Sequence, residues 1–475
     1  MLTGAGRVET TRRWAVPLWV VPLPRAGSPA ALAGLAGAVL QMAGALKSAP
    51  QLSLLPFDVT LAAAAALLPT LPWLVASRRW TLCPSIALPL GSAGALWLWL
   101  VIAGTWSAST DILAQKLPEA VLLGPAMLLA GLLIGADDAA RRWFTGTVLI
   151  IGPFVAAGIA WGLASGTAVL GGLVGASDAT RVQYQLAGLA MACSAALAAL
   201  RLVESRAGGC GRTAGMAEPA LAGVRNQTLP RTAPPPPAPL PPAPPRPSPH
   251  RAAVALRTLF RPLFWALLVL GLAVGALLPG GRAALLSLGG AVVLAPAARF
   301  LAARRWRMAM AWVGAAALAG LLGLGILLSD PDRAQGLRTL ERFTGEGIAA
   351  SARPVLWAAA LDWAGEAAPL GLGTGGFTVA AGYGEQRGLY PHNHALEALA
   401  EGGPIGLLLW LGCFGGSAVV LLRRLPRLDP GRAGRLVAVT LPVALGAMVS
   451  TDLGNRMVWF ALGLALSAAV EVRRV

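Results

Sequence analysis

PSIALPLGSAGALWLWLVIA, residues 84–103, carries no charged side chain in twenty positions. At about 1.5 Å per helical residue it is long enough to cross a hydrocarbon core of about 30 Å. Working outward from it, similar apolar blocks recur along the 475 residues and predict twelve membrane-spanning helices. Six fall at 29–46, 58–76, 84–103, 119–135, 144–163 and 183–200, and six at 262–279, 283–298, 308–328, 403–422, 436–451 and 456–471. Hydrophobic residues make up 56% of the chain and charged residues 12%, against about 25% charged in an average soluble domain. An ordinary cytosolic enzyme is excluded. The expected fold is all-α, a polytopic membrane helical bundle of about 12 transmembrane helices with one large outer loop carrying short helices.

A formal charge of +17 suggests nucleic acid as a partner until the basic residues are sorted by side. With both termini inside, the inner segments hold 28 Lys and Arg against 7 Asp and Glu, and the outer segments and span edges hold 10 against 14. The excess of positive charge on the inner side fixes the orientation, and no nucleic acid is expected. Arg78 with Arg79, Arg304 with Arg305 and Arg307, and Arg423 with Arg424 read as topology anchors. Cys83, Cys193, Cys210 and Cys413 have no paired spacing, so neither a disulfide framework nor a thiolate zinc site is suggested. Arg12 and Arg13 before the apolar run Trp14 to Leu23 resemble an export signal, but two prolines and Arg25 interrupt it, which favours an uncleaved cytoplasmic arm.

From Pro230 to Pro249, twelve of twenty residues are proline, and no acid lies between Glu218 and Asp330. This composition favours an extended polyproline-type spacer. Three regions follow: an N-terminal six-span region over 1–200, a basic, proline-rich cytoplasmic linker over 201–261, and a C-terminal six-span region over 262–475 that includes the outer loop 329–402. A second outer stretch, 164–182, is glycine-rich and reads equally as a re-entrant segment or a loop.

A connection as long as 329–402 is uncommon without structure or function, so chemistry is sought there. In PHNHALEALAEGGPIG, Pro391 and Asn393 break regular structure, after which His394, Glu397 and Glu401 share a helical face at i, i+3 and i+7. His392 and His394 with nearby carboxylates admit a zinc site, a proton acceptor near neutral pH, or loop histidines without chemistry. Arg353 directly precedes Pro354 in SARPVLWAAALDW, which marks a helix entrance, where unpaired N–H groups and a guanidinium make an anion site. The alternative is an interfacial helix with Trp357 and Trp363 at headgroup depth. Arg282, in LLPGGRAALLSL, is a positive charge on the outer side between two closely spaced spans, so it is either functional or snorkelling to headgroups. The glycines of GLGTGGF, residues 371–377, follow no predicted strand, which argues against a nucleotide loop and for tight turns that allow close backbone packing.

Three of these segments together resemble the O-antigen ligase and O-antigen polymerase superfamily, bacterial polytopic membrane proteins that transfer or polymerise undecaprenyl-linked glycans. GGRAALLSL resembles the family's Ser-Arg-Gly-Ala-Leu-Leu stretch, with Gly281 in place of serine and Ala283 in place of glycine. Arg353 to Trp357 followed by PLGLGTGGF resembles its Arg-x-x-x-Trp helix and Gly-rich turn, and PHNHALEALAEGGPIGLLLWLG resembles its His-Asn-x-x-Leu-x-x-Leu-x-Glu-x-Gly-x-x-Gly signature. The likeness covers about residues 260–425. It implies a multi-pass protein of the bacterial inner membrane, with the active face and the loop 329–402 periplasmic. It also implies a metal-independent membrane glycosyltransferase without a cofactor, whose partners are the lipid bilayer, a polyprenyl-diphosphate-linked glycan donor and a glycan, lipid A core or protein acceptor. Carried across by position, the resemblance makes His392, Arg353 and Arg282 the catalytic set, the arginines holding the lipid diphosphate and the histidine activating the acceptor hydroxyl. Asn393, His394, Glu397 and Glu401 join Arg282 and Arg353 as substrate-binding candidates, the two glutamates as orienting groups or as plain helix-surface acids.

Two other functions fit the same architecture: a secondary transporter of the 12-span type and a noncatalytic partner in polysaccharide assembly. Against transport, ASRRWTLCP after the second span lacks the Gly-x-x-x-Asp-Arg pattern of major facilitators, and no span carries an obvious acid pair.

Overall fold

The computed structural model describes residues 27–167, 169–170, 181–182, 184–214, 249–279, 281–329 and 352–474. The N-terminal arm, residues 215–248 of the linker, most of 168–183 and residues 330–351 of the outer loop lie outside the described residues, and with them the readings made there. Val169–Leu170 and Arg181–Val182 pair as two short parallel strands.

Among the described residues, nine helices are long and apolar enough to cross a membrane. In chain order the helices are α1, Pro29–Gln41, and α2, Val59–Ala76, followed by a short strand β1, Arg78–Leu82. Next come α3, Pro84–Gly104, α4, Asp111–Ala136, α5, Asp138–Ala164, and α6, Gln185–Ser205. The second half gives α7, Phe260–Leu277, α8, Arg282–Ala302, and α9, Trp306–Leu327. It continues with α10, Arg353–Glu366, α11, His394–Arg427, α12, Pro430–Ala447, and α13, Arg456–Ala469, before a final strand β2, Val470–Arg474. Each stretch expected to span is helical over most of its length among the described residues. Three of them, α1, α12 and α13, fall short of the length or hydropathy that marks the other nine.

Burial sorts these helices. In α6, 83% of the apolar window is buried inside the protein, and small residues explain why: Gly152 of α5 has no room for a side chain against Ser194 of α6, nor Gly188 of α6 against Ala284 of α8. None of the corresponding window in α9 is buried. A helix that apolar and that uncovered is stable only with lipid around it. The core is continuous from Ala30 to Val470 and draws on both halves of the chain.

The all-helical expectation misses two small strand pairs, the one at 169–170 and 181–182 and a longer one. β1 pairs antiparallel with β2, Trp80 opposite Val472, and closes one end of the bundle. Five-residue strands flanked by helices carry too little alternation to stand out from loop sequence.

α11 is broken. Gly403 sits at φ 63°, ψ −170°, directly before Pro404, so the segment from His394 to Gly402 is a separate short helix from the span that follows. A Cβ on Gly403 would come within 2.2 Å of Pro369 O, and one on Gly371, at φ 79°, within 2.4 Å of Gly403 N. The turns of GLGTGGF are therefore locked against the break, as the glycine pattern suggests. Gly403→Ala should destabilise the protein by at least about 2 kcal/mol, read as a fall in the thermal unfolding midpoint in detergent. An unchanged midpoint would show that the break is not under constraint.

Candidate functional site

Pro354 starts α10 at Arg353, the helix entrance expected from the Arg-Pro pair. Four residues on, and so on the same helix face, Trp357 donates its indole N–H to Pro391 O at 2.7 Å. The Trp side chain thereby pins the turn that carries His392, while Arg353 reaches the same neighbourhood. The Gln185 amide, oriented to suit its neighbours, accepts from Arg353 Nη2 at 3.3 Å and donates to Ser450 O at 2.8 Å. Ser450 O also accepts from the Tyr390 hydroxyl at 3.1 Å.

His392 occupies the left-handed region at φ 54°, a conformation uncommon for a residue with a side chain. Its ring lies 4.0 Å from that of Tyr390 at 45°. Burial holds its pKa below the ordinary 6.5, and the positive charge of Arg353 adds to the effect; backbone groups of Gly388 and Ser450 and the charge of Asp452 pull the other way. Burial, with the charges of Asp452 and Glu397, keeps the Tyr390 hydroxyl well above its usual range, so it stays protonated and can donate.

Beside Tyr390 opens a cavity of about 550 Å³, lined also by Glu119, Arg387, Asp452 and Arg456. That volume suits one or two sugar rings. Arg387 is fixed by Glu119, by Asp452 at 3.4 Å and by Gln115 at 3.2 Å. Contact with both acids keeps it charged.

Asn393, His394, Glu397 and Glu401 make contacts within the fold. Asn393 caps α11, its side-chain oxygen accepting from Ala395 N at 2.9 Å and Leu396 N at 3.1 Å. His394, fully buried, meets Phe414 edge-on at 5.7 Å, so the two histidine rings pack on different aromatics. Glu397 and Glu401 share the face foreseen for them, and it points inward: both are paired with Lys116 of α4, Glu401 at 2.5 Å. Glu397 further accepts from Leu453 N, next to Asp452, at 2.9 Å, and Glu401 from Gly375 N at 2.9 Å. This buried acid pair lies before the break at Gly403, outside the expected span 403–422, and has a cation between its members.

Arg282 is the first residue of α8. Two residues on, Ala284 packs on Gly188 of α6, one helical turn from Gln185. Arg282 thus sits at the same end of the bundle as the Gln185 and Arg353 pair, within about one turn of the same level.

Lys116, Gln185, Tyr390, Arg387, Asp452 and Arg456 were not legible as site residues. Along α4 they show a pattern that only the fold reveals. Glu385 accepts from Ser109 Oγ at 2.6 Å and Thr110 N at 2.9 Å at the start of that helix. Arg387 then grips Gln115 and Glu119, and Glu397 and Glu401 grip Lys116. One helix of the front half is the rail to which the loop and the His392 turn are fastened. Among the described residues no group of three or more His, Cys, Asp or Glu is arranged to hold a metal ion.

Residues 265–411 match the family model described as O-antigen ligase. The match covers α8, α10, the Gly-rich turn and the His392 turn, supports the O-antigen ligase and polymerase superfamily, and implies an enzyme of glycan transfer in a bacterial inner membrane. No curated protein matches the chain.

Proposed function

We propose that the chain transfers a saccharide from an undecaprenyl-diphosphate donor to an acceptor hydroxyl on the periplasmic face, without a metal or cofactor. The observation that carries this reading is the neighbourhood, at one end of the bundle, of the partly buried His392 imidazole, the Arg353 guanidinium whose charge acts on it, and a sugar-sized cavity walled by Tyr390, whose ring lies against that of His392. The acceptor oxygen attacks the anomeric carbon as its bond to the diphosphate breaks. His392 takes the hydroxyl proton, and the bonding pair leaves on the diphosphate oxygen. Arg353 and Arg282 stabilise the charge that builds there, more strongly in the transition state than in the bound donor. Direct displacement inverts the anomeric centre. Arg387, Arg456 and Asp452 line the space for sugar hydroxyls, and Lys116 with its two glutamates holds the turn in place.

Deletion followed by gel analysis of surface polysaccharide and lipid-linked intermediates tests the function. Full-length chains accumulating on the carrier identify a ligase and single repeat units a polymerase. An unchanged profile would favour transport of something else.

The reaction's pH dependence follows from His392. A base works when deprotonated, and its folded pKa lies below 6.5. Activity should therefore persist below pH 6.5 and fall only as pH drops through the lowered value. An acid limb in kcat/KM centred at or above 6.5 would remove His392 as the base.

A further inference from the structure

Three helices run from the His392 end of the bundle to a second cavity. α4 begins near Lys116 and ends at Ala136, α13 begins at Arg456 and ends at Ala469, and α12 begins beside Asp429 and leads to Ser450 and Asp452. Over the 18 residues of α12 that separation is about 27 Å. At the far end, the turn joining α11 to α12, the α4–α5 junction, β1 and β2 enclose about 770 Å³.

Its wall holds six arginines and four carboxylates, and the arginines divide into two groups. Arg78 is paired with Asp137 at 2.9 Å, Arg141 with Asp138 at 2.5 Å, and Arg142 also with Asp138. These pairs are part of the fold: Asp137 caps α5, and Arg141 donates to Gly135 O at 2.7 Å. Arg424 and Arg427, at the end of α11, and Arg432, in the first turn of α12, make no ion pair among the described residues. Arg424 contacts Cys83 Sγ and Arg432 donates to Ser467 O at 2.7 Å. Arg432 Nε is buried and has no hydrogen-bond partner among the described residues. Of the other acids on the wall, Asp429 is engaged as the cap of α12, accepting from Arg432 N at 2.9 Å, and Glu471 is exposed.

Topology alone asks only that arginines lie on this side of the membrane. It does not ask that three guanidiniums without an ion pair among the described residues line one concavity beside three paired ones, each presenting a planar fork of donors matched to phosphate oxygens. We propose that this cavity is a binding site for a phosphate-bearing anion, separate from the glycan site and at the opposite end of the molecule. The source of the phosphate is either an anionic phospholipid headgroup of the adjoining leaflet or a free phosphate from the aqueous side; the site chemistry is the same.

The test uses the full chain carrying Arg353→Gln, which removes one arginine proposed to hold diphosphate at the other end. Unfolding midpoints are measured in neutral detergent against inorganic pyrophosphate, and in phosphatidylcholine vesicles with and without phosphatidylglycerol. A stabilisation by pyrophosphate identifies the free anion. A stabilisation by phosphatidylglycerol alone identifies the headgroup. In either case Arg427→Gln, which removes an exposed side chain with no ion pair among the described residues, should weaken the apparent affinity about fivefold, and adding Arg424→Gln should do so again. Higher salt should weaken both responses. No stabilisation by either ligand, or one that both arginine replacements leave unchanged, overturns the proposal. Neither result bears on glycan transfer, which is read from lipid-linked intermediates.

Discussion

His392→Ala should lower glycan transfer by a factor of about 10² to 10⁴ while leaving the protein in the membrane at its normal level. The chemical reason is that an attacking hydroxyl must lose its proton as the new bond forms, and alanine offers nothing to receive it. The structural reason for expecting intact protein is that the His392 turn is held by other groups: Trp357 on Pro391 O, Tyr390 on Ser450 O and Asn393 as the helix cap. The left-handed backbone keeps its modest cost in the variant, because that cost arises at Cβ, which alanine retains. Arg353→Ala should produce a loss of similar size by a different route, through the unstabilised charge on the departing diphosphate. Transfer is measured in membranes supplied with lipid-linked glycan, with the amount of protein checked by immunoblot. Near-normal transfer in both variants would end the mechanism; loss of protein together with activity would point to folding instead.

The largest effect on stability is expected at Lys116. Its ammonium is buried between Glu397 and Glu401, which are themselves shut from solvent. Lys116→Met leaves two carboxylates facing each other with no cation, and breaking a buried pair in this way costs about 3–5 kcal/mol. The damage spreads to the site, because Glu397 also holds Leu453 N beside Asp452 and Glu401 holds Gly375 N in the Gly-rich turn. The triple variant Lys116→Met, Glu397→Gln, Glu401→Gln should recover most of the lost stability, since neutral groups no longer need the cation. Unfolding midpoints of the purified variants in detergent test both statements. A single variant as stable as the parent, or a triple variant no better than the single, would mean that the three charges do not act as a unit.

The spans were legible because hydropathy is a local property, and 84–103 needs no knowledge of the rest of the chain. So was the helix entrance at Arg353, where one proline constrains both its own backbone and its neighbour's. The break at Gly403 was not foreseen, whereas the shared face of His394, Glu397 and Glu401 was written in their spacing, though not that it points inward. What that face meets was not legible. Lys116 lies 285 residues before Glu401, and an isolated lysine near a span edge gives no sign of its partners. Arg387 and Gln185 were hidden for the same reason: each acquires meaning only from residues far away in the chain, and a single sequence holds no record of such pairs. The arginines at the end of α11 and the start of α12 show another limit. Counted by side, they explain orientation, and the count is satisfied before their shape is considered.

The interruption at Gly403 divides one stretch of chain between two solvents. Below it, the span from Pro404 onward answers to the thickness of the bilayer, tilting or shifting as the hydrocarbon changes. Above it, the short segment is fastened to Lys116 and to the Gly-rich turn and has no need to follow. The residue proposed to take the proton is thus insulated from the mechanics of the lipid, as a bearing isolates an instrument from the hull that carries it.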